Sequence, residues 1–340
     1  LAPVATLTFI QEPTNVSAGS SITPAILVEA TDMYGTPTPN VPITLAVASG
    51  PSNTLGGSLT INTSSSGTAT FSNISLATAG RYSLEAEDGA LDTISTAFAV
   101  TASVTFTGGG DGISWNNAAN WSDDAVPNQY DLITIPTGFN VVAQGAGTYQ
   151  AGALTIQSGA SLDVTNITLT IDFIGSDPIS SIVSYIDSGY NGGAWNGPGI
   201  FSSAAAAANA SGAAYGVGYA DGADGTDPSL GSGQIEIKPT LAGDATLSGS
   251  VTFGDFQILA EYFGSAGGWD EGGFNYSGTV TFGDFQLLAQ NFGKSAALSA
   301  SAGSSDEIAT ASMPASNSSD AVIDTDSELL QTQAGGSDIL

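Results

Sequence analysis

Near its C-terminal end this 340-residue chain repeats carboxylates and hydroxyls at the spacing of a calcium loop. SGSVTFGDFQILAEYFG at residues 248–264 returns as SGTVTFGDFQLLAQNFG at 277–293, 29 residues further on, with 13 of 17 positions identical. Such a duplication marks a tandem supersecondary unit. A calcium loop takes oxygens from positions 1, 3, 5, 7 and 12 of a twelve-residue turn, with Gly at position 6 for the sharp bend. Setting Gly249 and Gly278 at position 6 puts Asp255 and Asp284 at position 12. The other candidate ligands are Asp244, Thr246, Ser248 and Ser250 in loop 244–255. In loop 273–284 they are Asn275, Ser277 and Thr279, with Gly273 standing at position 1. Because affinity follows ligand charge, Ca2+ is expected to bind weakly in the first loop and marginally or not at all in the second. The competing reading is a pair of calcium-free turns.

The elements that hold these loops are written in the same repeat. Phe256, Leu259, Ala260 and Phe263, and again Phe285, Leu288, Ala289 and Phe292, fall at i, i+3, i+4 and i+7 before a terminating Gly. That pattern predicts two helices with apolar faces turned to a core. Val251 and Val280, at position 8, are expected to pair with each other across the loops.

Two loops ending in Asp, each followed by one helix and lacking an entering helix, resemble the type I dockerin module over residues 243–295. The resemblance implies two calcium ions and docking onto a cohesin-like domain in an extracellular assembly. The chain departs from that family at positions 1, 3 and 5, where Asp, Asn and Asp are usual. It departs again at positions 10 and 11, where Phe253-Gly254 and Phe282-Gly283 replace the small hydroxyl residues that touch cohesin. Self-association therefore stands beside a cohesin-like domain as the expected partner.

Upstream, the pattern is β. Residues 1–102 alternate apolar and polar side chains with turns every 8–12 residues, the signature of a sandwich of about seven short strands. EATDMYGTP (29–37) and ATAGRYSLEAEDG (77–89) resemble bacterial Ig-like repeats of large surface proteins, in which a strand ends in a D-x-x-G turn and a late strand opens with G-x-Y. Tyr82 is then a core or corner residue. Residues 103–172 read as a second β-rich module, a solenoid or a small jelly-like sheet. Its entry, with Trp115 and Trp121 before Val126-Pro127-Asn128, resembles modules of secreted autotransporter-like proteins. Residues 173–240 read as a mixed helix and loop linker. One helix there is capped by Asp177, starts at Pro178 and carries Ile179, Ile182, Val183 and Ile186 on one face before Gly189. A second, over the alanines 204–208, follows Ser203. The dockerin-like repeat occupies 241–295, and 296–340 is expected to be a disordered acidic tail with a turn near 324–330. The fold class is mainly β and multi-domain.

Composition narrows the function. Three bases (Arg81, Lys238 and Lys294) against 32 acids give a net charge of −29, which repels nucleic acid and anionic membranes. No run of 18 apolar residues could span a bilayer, so membrane insertion is not expected. Without Cys or His the chain has no disulfides, no thiolate zinc site and few routes to an activated nucleophile. Asp187-Ser-Gly is half of an aspartic-protease motif without its second copy, and no catalytic residue is expected. DGADGTD (221–227) is either a further calcium loop or a solvated turn. The four tryptophans could stack on sugars, which makes a polysaccharide a further candidate partner, or fill cores. Eight N-x-[ST] sequons (Asn15, Asn62, Asn73, Asn120, Asn166, Asn209, Asn275 and Asn317) could carry glycans. The chain reads as a non-enzymatic extracellular structural or adhesion protein that assembles through its β-modules and the dockerin-like repeat. The alternative is an accessory C-terminal region of a secreted carbohydrate-active enzyme whose catalytic domain lies upstream.

Overall fold

A computed structural model describes residues 3–145 and 149–298. Most of the tail expected to be disordered, with Asn317 and the turn near 324–330, lies outside the described residues. The protein is mainly β, with several sheets and four helices among the described residues.

The alternating N-terminal region folds into a sandwich. Its strands are β1 (Thr6–Gln11), β2 (Val16–Ser17), β3 (Ile26–Thr31), β4 (Pro42–Ser49), β5 (Thr60–Asn62), β6 (Thr68–Phe71), β7 (Gly80–Glu87), β8 (Asp92–Ile94) and β9 (Phe98–Thr105). One antiparallel sheet runs β1-β3-β6 and faces a second built on β5, β4, β7 and β9. Inward residues such as Ile26, Val28, Ile43, Phe71, Leu84 and Val100 are fully buried between them. Tyr82 is a corner tyrosine, buried, with its hydroxyl donating to the Thr78 carbonyl at 3.0 Å. After β3 the D-x-x-G turn closes as its sequence demands: Asp32 Oδ1 accepts the N–H groups of Tyr34 and Thr36, both at 2.9 Å.

Strand β9 belongs to two modules at once. Residues 98–100 pair antiparallel with β7, whereas residues 102–105 pair in parallel with β10 (Asp131–Ile135). The composition break near residue 103 therefore falls inside a hydrogen-bonded strand, and one sheet runs on from the sandwich into the next module.

That module is a short β-solenoid. After β10 come β11 (Asn140–Val142), β12 (Tyr149–Ala151), β13 (Ala153–Ile156), β14 (Ser161–Asp163) and β15 (Leu169–Asp172). Parallel partners repeat down three faces: Leu132 opposite Ala153, Asn140 opposite Ser161, and Tyr149 opposite Leu169. The coil rise is thus 21, 21 and 20 residues, and Ile133, Val141, Leu154, Leu162, Leu169 and Ile171 point into the bore. Trp115 and Trp121 meet edge to face at 5.1 Å beside Phe106 and plug its first end. Trp121 donates from its indole to the Trp115 carbonyl at 2.7 Å.

The next coil is interrupted by α1 (Ile179–Tyr190) before β16 (Gly199–Phe201) pairs with β14. Pro178 rather than Asp177 is the residue flanking α1, and Asp177 serves by accepting the Ile179 N–H at 2.8 Å. α2 (Ser203–Ala210) is capped by Ser202, one residue earlier than its sequence suggests, because that hydroxyl reaches the Ala205 N–H. β17 (Tyr215–Asp221) and β18 (Gln234–Leu241) form an antiparallel pair that closes the third face on β15. Residues 173–240, which read as a linker, therefore finish the solenoid.

α3 (Phe253–Tyr262) and α4 (Phe282–Asn291), with their loops, seal this end. Trp269 and Tyr276 lie over Gly216 and Gly218 of β17, where a Cβ would stand 2.6 Å from the Trp269 ring. Tyr276 exchanges hydrogen bonds with the Val217 backbone, and Asn291 donates to the Ala214 and Ala242 carbonyls at 2.8 Å each. One buried apolar cluster consequently runs from Val104 to Leu288, separate from the sandwich core. Gly218→Ala should cost about 1–3 kcal/mol, the usual cost of overpacking a filled site. Urea denaturation checks this, and an unchanged midpoint would show that Trp269 is free to yield.

Candidate functional site

Both loops of the repeat adopt one backbone. Leu247 and Tyr276, at position 4, take left-handed conformations (φ 51° and 58°), and Gly249 and Gly278 at position 6 do the same (φ 83° and 72°). Only glycine adopts that region freely, so the invariant turn residue of the motif has its physical reason.

The carboxylates are buried and already occupied. Asp244, Asp255 and Asp284 are inaccessible to solvent. Asp255 accepts the Thr246 N–H and hydroxyl on Oδ1 (3.0 and 2.9 Å) and the Thr252 N–H and hydroxyl on Oδ2 (2.7 and 2.9 Å). Asp284 accepts the Asn275 N–H at 3.0 Å, the Asn275 amide at 3.2 Å, and the Thr281 N–H and hydroxyl at 2.8 and 2.9 Å. These contacts make each position-12 Asp the reciprocal half of a capping box at the start of its helix. Asp244 accepts the Ser248 and Gly249 N–H groups at 3.0 and 2.9 Å, together with the Thr240 hydroxyl. Burial pushes its carboxyl above the usual range, the Thr240 and Gly249 hydrogen bonds offset this in part, and the Asp255 charge adds to the rise.

In this arrangement the candidate calcium ligands are hydrogen-bonded to one another. The Ser277 hydroxyl donates to the Thr279 carbonyl at 3.0 Å, and the Ser248 hydroxyl lies 3.2 Å from both the Ser250 carbonyl and Asp244 Oδ1. In loop 273–284 two groups that should both face a cation are thereby joined to each other. Thr246 spends its hydroxyl proton on Asp255, and Asn275 uses both ends of its amide, toward Asp284 and the Ser277 N–H. Among the described residues no three His, Cys, Asp or Glu side chains cluster where they could hold a metal ion; the first loop has two carboxylates and the second one, so hydroxyls and carbonyls make up the rest of each donor set. Both loops serve as hydrogen-bonded helix caps, and the second, with a single carboxylate, has the poorer donor set for calcium.

Other expected contacts fall differently. Val251 and Val280 do not pair with each other. Val251 bonds to Gly293 and Lys294 after α4, and Val280 to Gly264 and Ser265 after α3, so each loop holds the exit of the other copy's helix. The helix faces are inward only at Leu259 and Leu288. Phe256 and Phe285 are half-buried, while Ala260, Phe263, Ala289 and Phe292 are exposed. Phe253 and Phe282, the first helical residues, are each 61% exposed, and Phe263 and Phe292 are 53% and 52% exposed. Ring centroids step from Phe253 to Phe256 (5.8 Å), to Phe285 (6.3 Å), to Phe282 (5.7 Å), joining the two helices into one aromatic band. The periodicity was legible; its outward direction was not, because Trp269, Phe274 and Tyr276 from the intervening loop take the core positions.

The remaining candidates resolve into structural roles. In 221–227 each Asp caps its own turn, Asp221 at Ala223, Asp224 at Thr226 and Asp227 at Ser229. All four tryptophans are buried, so none offers a face to a sugar. Asn120 is fully buried, bonded to Asp111, Ser114, Gly110 and Gly112, and closed to a glycan in the folded chain. Asp187 is pushed up by burial alone.

An acidic hollow of about 450 Å³ was not legible in the sequence. It lies between α1, the end of β17 and the loop after α3, with Asp221, Asp224, Asp270 and Glu271 in its wall. Asp270 accepts the Asp221 N–H at 3.0 Å. Burial, with the neighbouring Asp224 and Glu271 charges, lifts the Asp270 carboxyl to about 7, against the lowering hydrogen bond from Asp221. Tyr219 and Asp221 beside it are raised as well, in both cases chiefly by burial. These acids come from positions 49 residues apart, which is why no local pattern announced them.

Comparison with known proteins adds little. No protein-family model matches the chain, and no curated protein matches it. Among solved structures it is similar to the D00-D0 domain of intimin (18% identity, TM-score 0.23, 29% of this chain and 46% of that one). It is also similar to the D0-D1 domain of intimin (19%, TM-score 0.23, 34% and 59%). A third is a C-terminal 282-residue intimin fragment in complex with the intimin-binding domain of the translocated intimin receptor (18%, TM-score 0.24, 32% and 36%). The chain thus spans less than two thirds of each.

Two outcomes follow. Millimolar calcium and EDTA should leave the melting temperature unchanged, whereas Asp255→Ala should lower stability by about 1–3 kcal/mol through loss of the cap and its buried partners; calcium-dependent melting would reverse the assignment. For Asp270, the folded-state pKa lies above the unfolded value, so the folded chain holds more protons between about pH 4 and 7. Stability must then fall as pH rises through that window. Thermal melts from pH 4 to 8 should show the fall, and Asp270→Asn should flatten it.

Proposed function

We propose that the protein is a non-enzymatic extracellular structural or adhesion protein whose loop-helix pair is a docking face for a second copy of the same chain. The aromatic band on α3 and α4 carries this reading. Phe253 and Phe282, each 61% exposed and placed identically in both copies of a repeat, end a continuous ring-to-ring band through Phe256 and Phe285, a larger apolar surface than scattered side chains would form. The rest of the repeat supports a presenting role: its buried side chains fasten the helices to the solenoid, and the half-buried Phe256 and Phe285 link the two stripes.

Charge supports a second copy as the occupant. A chain of net charge −29 repels itself over most of its surface. On the outward side of α3 and α4 the one charged residue is Glu261, since Asp255 and Asp284 are buried. Contact between copies is least opposed there. The two stripes are nearly the same sequence, so a partner turned half around lays Phe253 and Phe256 against Phe282 and Phe285 with equivalent chemistry. Ala260 and Ala289 sit between the aromatic ends as notches for the opposing rings.

Salt gives the test its sign. Screening relieves like-charge repulsion, so self-association through an uncharged band should strengthen as NaCl rises, whereas docking of a basic partner should weaken. Sedimentation velocity over protein and salt concentration should show a salt-promoted dimer or larger assembly. Phe253→Ser with Phe282→Ser should abolish it with little change in melting temperature. A strictly monomeric chain at every salt concentration, or assembly untouched by the double substitution, sinks the proposal.

A further inference from the structure

Where β9 passes from the sandwich into the solenoid, three hollows of about 280, 430 and 520 Å³ adjoin. Asn15 and Phe173 are common to the first and second, Arg81 and Tyr130 to the second and third, so they form one groove along the junction. We propose that this groove binds a neutral oligosaccharide, a site independent of the aromatic band.

Four observations carry it. Arg81 is the chain's one arginine, and among the described residues the one ion pair is Lys238–Glu236 at 3.6 Å, which leaves Arg81 without a carboxylate partner. Asp172, in the same groove, accepts Gln234 Nε2 at 2.7 Å on Oδ1, but its Oδ2 is buried with no hydrogen-bond partner. An unpaired buried oxygen costs free energy, and its residue lines the groove. Tyr130 and Phe173 supply aromatic surface, and Asn15 and Gln129 supply amides.

The ligand class follows from what these groups have in common. Arg81 only donates and the Asp172 carboxyl group presents oxygen acceptors, so a polyanion would meet Asp172 and a polycation would meet Arg81. A sugar hydroxyl both donates and accepts, and serves guanidinium, carboxylate and amide at once. The C–H faces of a pyranose ring suit the apolar faces of Tyr130 and Phe173. A groove that continues through three hollows suits a chain of sugars better than a single one. The walls are held by the continuous β9 ladder, so the two sides keep a fixed spacing.

The test uses the full chain and four neutral hexasaccharides: cellohexaose, xylohexaose, mannohexaose and laminarihexaose, read by calorimetry, with polygalacturonate and chitosan as charged controls. Binding of at least one neutral hexasaccharide at millimolar concentration or below is expected. Arg81→Ala and Tyr130→Ala should each weaken it about tenfold or more, equivalent to about 1.4 kcal/mol, while Tyr34→Ser, on the exposed turn after β3, leaves it unchanged. Retention of charged polymers alone, absence of binding to all four, or binding that neither groove substitution alters overturns the proposal.

Discussion

Among the described residues, every buried aspartate is satisfied by hydrogen bonds and none by a basic side chain. Seven aspartates are buried: Asp131, Asp163, Asp221, Asp244, Asp255, Asp270 and Asp284. None of them forms an ion pair among the described residues. Each accepts backbone N–H groups instead: Asp131 from Asn128, Asp163 from Thr165 and Ser203, Asp221 from Ala223, Asp270 from Asp221, and the three loop aspartates from their own turns. Such charge-assisted bonds are stronger than neutral ones, but they also fix where the backbone must turn. The fold therefore sets its carboxylates at turns and helix starts, where unpaired N–H groups are plentiful. Where donors are too few for the depth of burial, as at Asp270, the carboxyl is held above its usual range.

The same constraint accounts for the repeat. A calcium loop and a helix cap draw on the same parts, a Gly turn and an acid at the first turn of a helix. Which one is favoured depends on how many carboxylates stand at positions 1, 3 and 5. Here Asp244 alone supplies one, Ser277 offers its proton to a carbonyl that would otherwise be a ligand, and Gly273 offers nothing. The left-handed residues at positions 4 and 6 and the exchange of strand-like bonds between copies set the loop shape.

How much was legible depended on whether the deciding contacts were local. The sandwich strands, the D-x-x-G turn, Tyr82 and the α1 face follow from periods of two and 3.6 residues and from turn chemistry. The 21-residue solenoid repeat shares few identical positions between coils, so its strands could be read but a solenoid could not be told from a jelly-like sheet. The boundary at 103 was misleading because composition changes there while hydrogen bonding does not. The helix faces failed for a different reason: a period identifies an apolar stripe, but the core has finite room, and Trp269 and Tyr276 had already filled it. The junction groove was invisible, since Asn15, Arg81, Tyr130 and Asp172 share no local pattern.

A consequence of the shared strand is that both proposed surfaces sit on one rigid frame. β9 bonds the sandwich to the solenoid, and the cluster from Val104 to Leu288 bonds the solenoid to α3 and α4. A module hung on a flexible linker dilutes its partner site over the volume the linker sweeps. A frame without such a hinge keeps the groove and the aromatic band at a constant separation. If copies join through the band, the grooves are then arrayed at fixed intervals, and a chain-like ligand that meets one groove is presented to the next. Weak single-site binding suffices for firm attachment under that geometry, which agrees with an open groove of modest depth. The acid-rich surface between the sites keeps the assembly from collapsing on itself while leaving neutral ligands free to approach.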